Sequence, residues 1–346
     1  MEILIGSFSA KLRKPFVSNK GRIESVGHVQ VTLQADGFCG IGVCRADIAP
    51  DPAIIRAIRQ QAIGFDVSKP AATISDLEAA IGRNPISVAC DIALFDLHSR
   101  KLAIPARALF GSPGRHPQTA VSVGVETEEE LYQAMQALRD WPILKIKLRR
   151  DQPASLLTAV RKIYAGEIWV DANGGWDIQT AKANMTILEA AGVTILEQPL
   201  ATGEFGNLSE LRGSSVQIAV DEDVRGPESI TGLAGNVDIV NIKLAACGGL
   251  AGAHATLDAA LRAGLKTIIG CRTESVAGVT AASVLAHLAH YADLDGHLDI
   301  ADDPFFGITV NKGTVWLTEE NGVGATKRQS TSAESFHDQA EMRSPR

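Results

Sequence analysis

The sequence predicts an α/β protein: a modified (β/α)8 barrel, TIM-like and of the (β/α)7β form, joined to an α+β capping domain. From Thr119 onward, short apolar strands alternate with helical stretches, as in a series of βα units. The residues that close these strands recur at intervals of about 25 residues, which is the length of one such unit. They are Lys147, Asp171, Glu197, Asp221, Lys243, Cys271 and Asp295. Residues 1–112 lack this repeat, so we expect them to form the separate cap.

A doubly wound open sheet would show a similar repeat and is the alternative fold. Such a sheet usually concentrates its functional residues at one switch point. Here almost every predicted strand ends in a polar residue, and a barrel gathers the carboxyl ends of all its strands around one site. The spacing therefore favours the barrel, over residues 113–297.

The cap region predicts strands followed by helices. The segment IESVGHVQVTLQ alternates apolar and polar residues, which is typical of a strand with one buried face. Asp51 and Pro52 predict the start of a helix, and Ser75 with Glu78 predicts another start through a capping box. The run SVACDIALFDLHSRKL has apolar residues at helical spacing and predicts a long, mostly buried helix.

The composition excludes several classes of protein. The chain has 346 residues, a hydrophobic fraction of 45%, a charged fraction of 21% and a net charge of −7, so we expect a soluble protein that binds no nucleic acid. We expect no secretory signal and no membrane contact, since no segment approaches the roughly 20 apolar residues of a membrane span. Five scattered cysteines without a CxxC pair indicate a reducing compartment, and the expected location is the cytoplasm. The sequence leaves open whether the chain forms a homo-oligomer.

Three of the strand-closing residues are carboxylates on consecutive predicted strands, namely Asp171, Glu197 and Asp221. At adjacent carboxyl ends of a barrel they would lie within a few ångströms of one another, which is costly unless a cation lies between them. Ligands that are all oxygen favour Mg²⁺, with Mn²⁺ as a substitute. The alternative, in which each acid caps a helix or pairs with a surface lysine, fits three consecutive strands less well.

Two lysines close strands that would face each other. Lys147 and Lys243 end the second and sixth predicted strands of an eight-stranded barrel, and Lys145 projects to the same side of its strand as Lys147. Crowding by each other, by Lys243 and by a metal is expected to lower the pKa of Lys145 and Lys147, so that a neutral amine can act as a base. A substrate carboxylate held between Lys147 and Lys243 would present its α-carbon to one amine on each face. The expected chemistry is removal of a proton next to a carboxylate.

Five motifs in this order, KIKL, VDANGGW, LEQP, AVDED and NIKLAACGGL, resemble the enolase superfamily, specifically its muconate-lactonizing-enzyme subgroup. The resemblance covers roughly residues 1–320 and implies that residues 298–321 complete the cap. In that family the second lysine of KxK and the lysine of NIK form the acid/base pair, and the acids of the three intervening motifs bind Mg²⁺. On this chain those roles fall on Lys147, Lys243, Asp171, Glu197 and Asp221.

The resemblance further implies that Lys145 lies against the substrate carboxylate. The polar, aperiodic segment that follows, residues 322–346, is expected to be a disordered tail.

The subgroup contains cycloisomerases, o-succinylbenzoate synthases, N-acylamino-acid racemases and dipeptide epimerases, all of which share the metal ligands and lysines. In YADLDGHLDI, Asp293 and Asp295 resemble the DxD pair by which dipeptide epimerases hold the free α-ammonium of their substrate. Two carboxylates that face a site already holding a dication need a cationic partner. The resemblance therefore implies a Mg²⁺-dependent dipeptide epimerase, an isomerase that transfers a proton at the α-carbon of the C-terminal residue through a metal-stabilised enediolate. The alternatives are an N-acylamino-acid racemase, an o-succinylbenzoate synthase-like lyase and a non-catalytic ligand-binding relative.

Three basic residues are candidate determinants of the side chain that the site accepts. Relatives that act on L-Ala-Glu usually carry an arginine in the capping loop, where this chain has Gly21 between Lys20 and Arg22. Arg272, in GCRTES, stands where an apolar residue is more usual. If Arg272 points inward it would favour an acidic group on the substrate.

Overall fold

The structure, a computed structural model, describes residues 1–18, 21–49, 51–111, 114, 116–124 and 127–329. Within these residues, three strands and three helices precede a parallel barrel, and four short strands follow it. The division predicted between residues 112 and 113 lies outside the described residues and stays a prediction. No helix in the described part of the chain is long and apolar enough to cross a membrane.

Three long antiparallel strands form the sheet of the cap: β1 (Glu2–Ser18), β2 (Gly21–Ala35) and β3 (Phe38–Arg45). The turn between β2 and β3 is Asp36-Gly37, and both residues have positive φ, as a two-residue hairpin turn requires. Val29, Val31 and Leu33 of β2 are fully buried. The alternating sequence therefore packs one face of the sheet into the core, as predicted.

The cap helices are α1 (Pro52–Gln61), α2 (Pro70–Ile81) and α3 (Pro85–Lys101). Asp51 caps α1 by accepting a hydrogen bond from Ala53 N at 2.7 Å, as its sequence predicts. The predicted helix start at Ser75 is wrong, because α2 already begins at Pro70, whose fixed φ suits the first helical position. Helix α3 is almost entirely buried and packs against β2 and β3, as its apolar pattern predicts.

Eight parallel strands, in chain order, form the barrel sheet: β4 (Val121–Val123), β5 (Ile143–Lys147), β6 (Glu167–Asp171), β7 (Val193–Glu197), β8 (Gln217–Val220), β9 (Ile239–Lys243), β10 (Lys266–Gly270) and β11 (Tyr291–Asp293). The two ends of the sheet meet where Thr119 bridges Ala292, and Ala120 N donates to Ala292 O at 3.1 Å. The sheet therefore closes, and the predicted barrel is confirmed.

The barrel helices lie between these strands: α4 (Glu128–Ala137), α5 (Leu156–Ile163), α6 (Ile178–Ala190), α7 (Pro227–Leu233), α8 (Leu244–Cys247), α9 (Gly249–Arg262) and α10 (Val276–Ser283). The connection from β7 to β8 holds a 3-10 helix, Phe205–Leu211, in place of an α-helix.

Inward-facing residues of the barrel change from apolar to polar along each strand. A buried apolar layer fills one end of the barrel and consists of Ala120, Ile143, Trp169, Ile195, Ala219, Ile239 and Ile268. Because side chains of a strand alternate between its faces, the residues two positions further on also point inward. Those residues include Lys145, Asp171, Glu197, Asp221 and Asn241. A layer of buried apolar side chains thus packs beneath a layer of polar side chains at the carboxyl ends of the strands.

The chain returns to the cap after the barrel. The last strands are β12 (Phe305–Phe306), β13 (Thr309–Asn311), β14 (Thr314–Trp316) and β15 (Thr326–Lys327), which pair as β12 with β15 and β13 with β14. Ile300 bridges Leu12 of β1, and the rings of Phe305 and Phe8 lie 5.8 Å apart. Residues beyond the barrel therefore contact strand β1 of the cap.

The expected disorder from Gly322 onward does not hold for residues 322–329. Val323 N donates to Asp96 Oδ1 of α3 at 2.7 Å, and Ala106 N donates to Gly322 O at 2.6 Å. Val323 and Ala325 are buried, because these two apolar side chains pack against the core of the cap. Residues 330–346 lie outside the described residues.

Candidate active site

The carboxyl ends of the barrel strands open into a cavity of about 860 Å³. Its walls come from both parts of the protein, since Phe16, Gly21 and Ile23 of the cap line it together with residues of the barrel loops. A cavity of this volume at this end of a barrel is the usual place for a small-molecule site.

Strand β5 supplies two lysines at different depths. Lys147 lines the cavity, and its Nζ donates to Asp171 Oδ2 at 2.6 Å. Lys145 is completely buried and does not line the cavity. Its Nζ lies 2.8 Å from Glu197 Oε2 and 3.4 Å from Asp171 Oδ2. Because Lys147, Asp171 and Glu197 are register partners on adjacent strands, these side chains necessarily meet.

Glu197 is oriented by a residue that the sequence analysis missed. Asn241 Nδ2, on β9, donates to Glu197 Oε1 at 3.0 Å, and both side chains are fully buried. A signal was present in the sequence: Asn241 and Lys243 are two apart in NIK, so both project to the same side of the strand.

The second cavity lysine pairs with the third acid. Lys243 Nζ lies 2.5 Å from Asp221 Oδ2, and both residues line the cavity. Gln198, another residue missed in the sequence, holds this acid in place, since its Oε1 accepts from Asp221 N at 2.8 Å. Asp223 Oδ2 in turn accepts from Gln198 Nε2 at 2.8 Å. These contacts fix the backbone of the loop that carries Asp221.

Lys147 and Lys243 lie on opposite sides of the barrel. They belong to the second and sixth of eight strands, so three strands separate them in either direction around the barrel. The intervening strands β6, β7 and β8 bring Asp171, Glu197 and Asp221 between them. The structure thus brings the five predicted metal and base residues together at one end of the barrel.

Asp293 and Asp295 both line the cavity. Asp293 Oδ2 accepts from Lys145 Nζ at 2.7 Å, whereas Asp293 Oδ1 is buried and has no hydrogen-bond partner among the described residues. Asp295 Oδ2 accepts from Ser122 N at 2.5 Å. Burial, with the neighbouring Asp293, raises the pKa of Asp295 to about 6. This pair of acids therefore retains the capacity to accept hydrogen bonds from a ligand.

The pKa of Lys145 is opposite to the expectation from the sequence, and the pKa of Lys243 is raised as well. Burial on its own lowers the pKa of Lys145, but Asp293, Glu197 and Asp171 outweigh burial and raise that pKa well above its ordinary value. Burial also acts to lower the pKa of Lys243, and Asp221 reverses the effect and raises it. The expected lowering is wrong for Lys145 in the protein alone, because its ammonium contacts carboxylates more closely than it contacts other cations.

The pKa values of two acids at the centre of the site shift in opposite directions. Burial raises the pKa of Glu197 to about 7; Lys145 opposes this rise, and Asp171 and Asp221 add to it. Burial on its own would also raise the pKa of Asp171, but Lys147 and Lys145 lower it below its usual range.

The charges of the site do not balance. Three lysine ammoniums face five carboxyl groups, and full ionisation of all five would leave an excess of two negative charges in this group. In the described part of the chain no three acids, histidines or cysteines already surround one point, and the lysines instead contact each of the three central acids. The donors are all oxygen and lie on adjacent strands, so they fit a hard divalent cation that displaces the lysine contacts.

The site lies in the part of the chain that matches a known family. Residues 127–330 match the family described as Enolase C-terminal domain-like, which is more than half of the chain. The chain belongs to this family. The resemblance that the five motifs indicated is therefore confirmed.

Relatives of this enolase-like protein match it over nearly the whole chain. A hydrophobic dipeptide epimerase of Roseobacter litoralis is 31% identical over 331 residues, covering 91% of this chain and 95% of that protein. An L-Ala-D/L-amino acid epimerase of Flavobacterium johnsoniae is 29% identical over 341 residues, covering 94% of this chain and 99% of that protein. The similarity thus includes the cap as well as the barrel.

A solved structure of an enolase-family enzyme has the same fold. It is the dipeptide epimerase of Methylococcus capsulatus, complexed with Mg and the dipeptide L-Arg-D-Lys. The two chains are 28% identical and superpose with a TM-score of 0.86, over 94% of this chain and 98% of that one.

The candidate specificity residues of this family member lie in different places. Arg272 is exposed at the cavity wall and forms no ion pair with an acid among the described residues. Arg22 does not line the cavity, although Gly21 and Ile23 on either side of it do, and its Nε lies 3.4 Å from Glu24 Oε1. Lys20 lies outside the described residues. Of the two candidates that the structure describes, Arg272 lines the cavity and Arg22 does not.

Proposed function

We propose that the protein is a Mg²⁺-dependent dipeptide epimerase, an isomerase that moves a proton between the two faces of the α-carbon of the C-terminal residue. The observation that carries this proposal is the placement of Lys147 and Lys243 on opposite sides of one cavity. One lysine removes the proton from one face, and the other returns a proton to the opposite face. Two opposed bases are the arrangement that inversion of a stereocentre needs.

Asp171, Glu197 and Asp221 would hold Mg²⁺, with Mn²⁺ as a substitute. The bound ion would stabilise the negative charge that develops on the substrate carboxylate as the α-proton leaves. Asp221 is the charge that most raises the pKa of Lys243. A cation held by Asp221 would offset this influence and so favour the neutral amine that a base requires.

Asp293 and Asp295 would bind the α-ammonium of the dipeptide. The buried, unpaired Asp293 Oδ1 and the neighbouring Asp295 carboxylate supply acceptors at the cavity wall. The buried Lys145 ammonium already pairs with Asp293, so Asp295 would be the main counter-charge for the substrate ammonium. The predicted contact of Lys145 with the substrate carboxylate stays a prediction, since its ammonium is enclosed by acids. The dipeptides named for the Roseobacter and Methylococcus relatives support this class of substrate.

The second candidate is an N-acylamino-acid racemase of the same family. It is favoured by the contact between Lys145 and Asp293, because a half-neutralised acidic pair has less need of a cationic ligand. The lysines and metal ligands would act identically in both enzymes.

A deuterium exchange experiment tests both functions. The protein is incubated in D₂O with Mg²⁺ and either a library of L,L-dipeptides or the matching N-acylamino acids, and α-deuterium is followed by mass spectrometry and NMR. We expect exchange and epimerisation at the C-terminal residue of at least one group of dipeptides. Exchange confined to the N-acylamino acids would favour the racemase. The absence of exchange with every compound would contradict both proposed functions.

We also propose that the protein works in the cytoplasm. All five cysteines lie among the described residues, all are free and four are buried, which supports a reducing environment. Whether the chain forms a homo-oligomer stays open. Light scattering coupled to size-exclusion chromatography would measure the mass in solution.

A further inference from the structure

The N-terminus of the barrel helix α9 is capped by a residue of the other domain. Gly248, in the capping position, has no side chain that could accept a hydrogen bond. Asp91 of cap helix α3 supplies the acceptor instead: Leu250 N and Ala251 N both donate to its carboxylate, the second at 3.2 Å. The free N–H groups of a first helical turn require such an acceptor, and the positive end of the helix favours a carboxylate.

The fit between Asp91 and this turn is close. Asp91 is fully buried, and in the described part of the chain its side-chain hydrogen bonds go to α9 alone. Gly249 has a φ of +81°, and a Cβ at this position would collide with the Asp91 carboxylate. Helix α3 also packs against both α8 and α9. The turn therefore has the shape and the glycine that the approach of Asp91 demands.

The capped turn is joined directly to one of the two bases. Lys243 is the last residue of β9, and α8 begins at the next residue. Gly248 N, at the end of α8, donates to Leu244 O at 3.1 Å, and α9 then starts without a loop. The backbone of Lys243 is thus continuous with the segment that Asp91 fixes. Lys147 lies across the barrel on β5, and among the described residues Asp91 has no side-chain hydrogen bond to that strand.

We propose that Asp91 is a positioning residue for Lys243 and not for Lys147, an inference that rests on the proposed two-base function. The cap, through this carboxylate, holds the base on one face of the substrate. Loss of the carboxylate should therefore weaken the two bases unequally.

The test compares Asp91→Asn with Asp96→Asn. Asp96 lies on the same helix, is equally buried and accepts from Ile41 N and Val323 N, but has no hydrogen bond to α9. For each purified epimer in D₂O with Mg²⁺, exchange into remaining substrate and epimerisation are measured separately. The Lys147→Ala and Lys243→Ala variants identify which epimer each lysine deprotonates.

In Asp91→Asn, the epimer that Lys147 deprotonates should keep exchanging while its epimerisation falls, so that their ratio rises about tenfold. For the other epimer, exchange and epimerisation should fall together. Asp96→Asn should leave both ratios at the wild-type value. The proposal is overturned if exchange and epimerisation fall equally for both epimers in Asp91→Asn. It is also overturned if Asp96→Asn shows the same rise in the ratio of exchange to epimerisation.

A second measurement does not depend on turnover. Amide hydrogen exchange of residues 244–251 in the metal-free protein should be faster in Asp91→Asn than in the wild type, and unchanged in Asp96→Asn. Unchanged protection in Asp91→Asn overturns the proposal whatever the activity. If the wild type exchanges no dipeptide, the proposed function fails, and this measurement alone still decides whether Asp91 holds the segment that carries Lys243.

Discussion

The three lysines of the site differ in what they contact. Lys145 meets three carboxylates and does not line the cavity, whereas Lys147 and Lys243 each make one close ion pair and do line it. A fully enclosed ammonium balances buried acids, which are costly when unpaired. The two cavity lysines are free to exchange their partner when a ligand enters.

Replacing either cavity lysine should abolish inversion but not every proton transfer. In Lys147→Ala and in Lys243→Ala we expect epimerisation to fall by roughly 10²- to 10⁴-fold, because one acid/base group is lost. Exchange in D₂O should survive for one epimer only, and for opposite epimers in the two variants. Lys182→Ala, which breaks an exposed ion pair with Glu210, is the control. Normal epimerisation by either active-site variant would contradict the two-base mechanism.

Asp295→Asn tests the ammonium site. It keeps the size of the side chain but removes its charge, and a charge-assisted hydrogen bond is typically worth about 1.5–3 kcal/mol. The KM for a free dipeptide should therefore rise roughly 10- to 100-fold. Activity on an N-acetylated analogue, which has no ammonium, is the internal control. An unchanged KM for the free dipeptide would remove Asp295 from substrate binding.

At the scale of elements, the turn between α8 and α9 depends on its glycines. Gly249→Ala places a Cβ against the Asp91 carboxylate at a positive φ, whereas Gly264→Ala, after α9, meets only the cost of a positive φ, since no atom lies within 4 Å of its added Cβ. We expect Gly264→Ala to lower the free energy of unfolding by about 1–2 kcal/mol and Gly249→Ala to lower it further. Urea unfolding measures both. If both variants lose the same free energy of unfolding, the Asp91 carboxylate can move away from the added Cβ without loss of stability.

Much of this architecture was predictable because most barrel strands are apolar runs that are closed by a polar residue. An apolar run that closes on Lys147, Asp171 or Glu197 carries both the strand and the site in one local pattern. Contacts between elements leave no such pattern. Asp91 stands in an apolar helix without any local sign of its partner, and Gln198 is recognisable only once the strands on either side are aligned.

The ends of elements were less predictable for the same reason. The box of Ser75 and Glu78 satisfied a local rule, yet Pro70 had already started the helix. Val323 and Ala325 sit in a polar stretch, and only the surface of the cap makes them buried residues. Local chemistry thus predicted the elements, while packing decided their boundaries.

For the whole molecule, the negative excess at the centre of the barrel predicts stabilisation by metal. Mg²⁺ that binds only the folded state should raise the free energy of unfolding by about 2.7 kcal/mol at one hundred times its Kd. The increase in Tm should disappear in Asp171→Asn, and NaCl at matched ionic strength should not reproduce it. If Mg²⁺ does not change the Tm of the wild type, this would argue against a metal at the three acids.

A histidine between the cap sheet and the barrel should make stability depend on pH. His28 of β2 is buried, and its Nε2 accepts from Ser275 N of the barrel at 2.9 Å. Burial lowers the pKa of His28 to about 4; Arg45 adds to this effect and Asp47 opposes it. The unfolded chain therefore takes up a proton first as pH falls from 6.5, so stability is complete above pH 6.5 and is lost towards pH 4, by up to about 3 kcal/mol.

Urea unfolding across this range should show a steeper pH dependence in the wild type than in His28→Gln. His297, whose pKa burial also lowers to about 4, remains in both proteins and cancels from the comparison. Identical curves would mean that His28 titrates normally in the folded protein.

The contacts between the two ends of the chain also govern when the enzyme can first work. Ile300, Phe305 and Val323 close a cap that began with β1, and the entire barrel is synthesised between them. A nascent chain on the ribosome can pair β1 with β2 early, but it lacks the residues that fasten this sheet in place. Contacts so distant in sequence form late in folding. The wall that Phe16 and Ile23 give to the cavity is therefore fixed only after the whole barrel has been synthesised, and a shorter nascent chain lacks it.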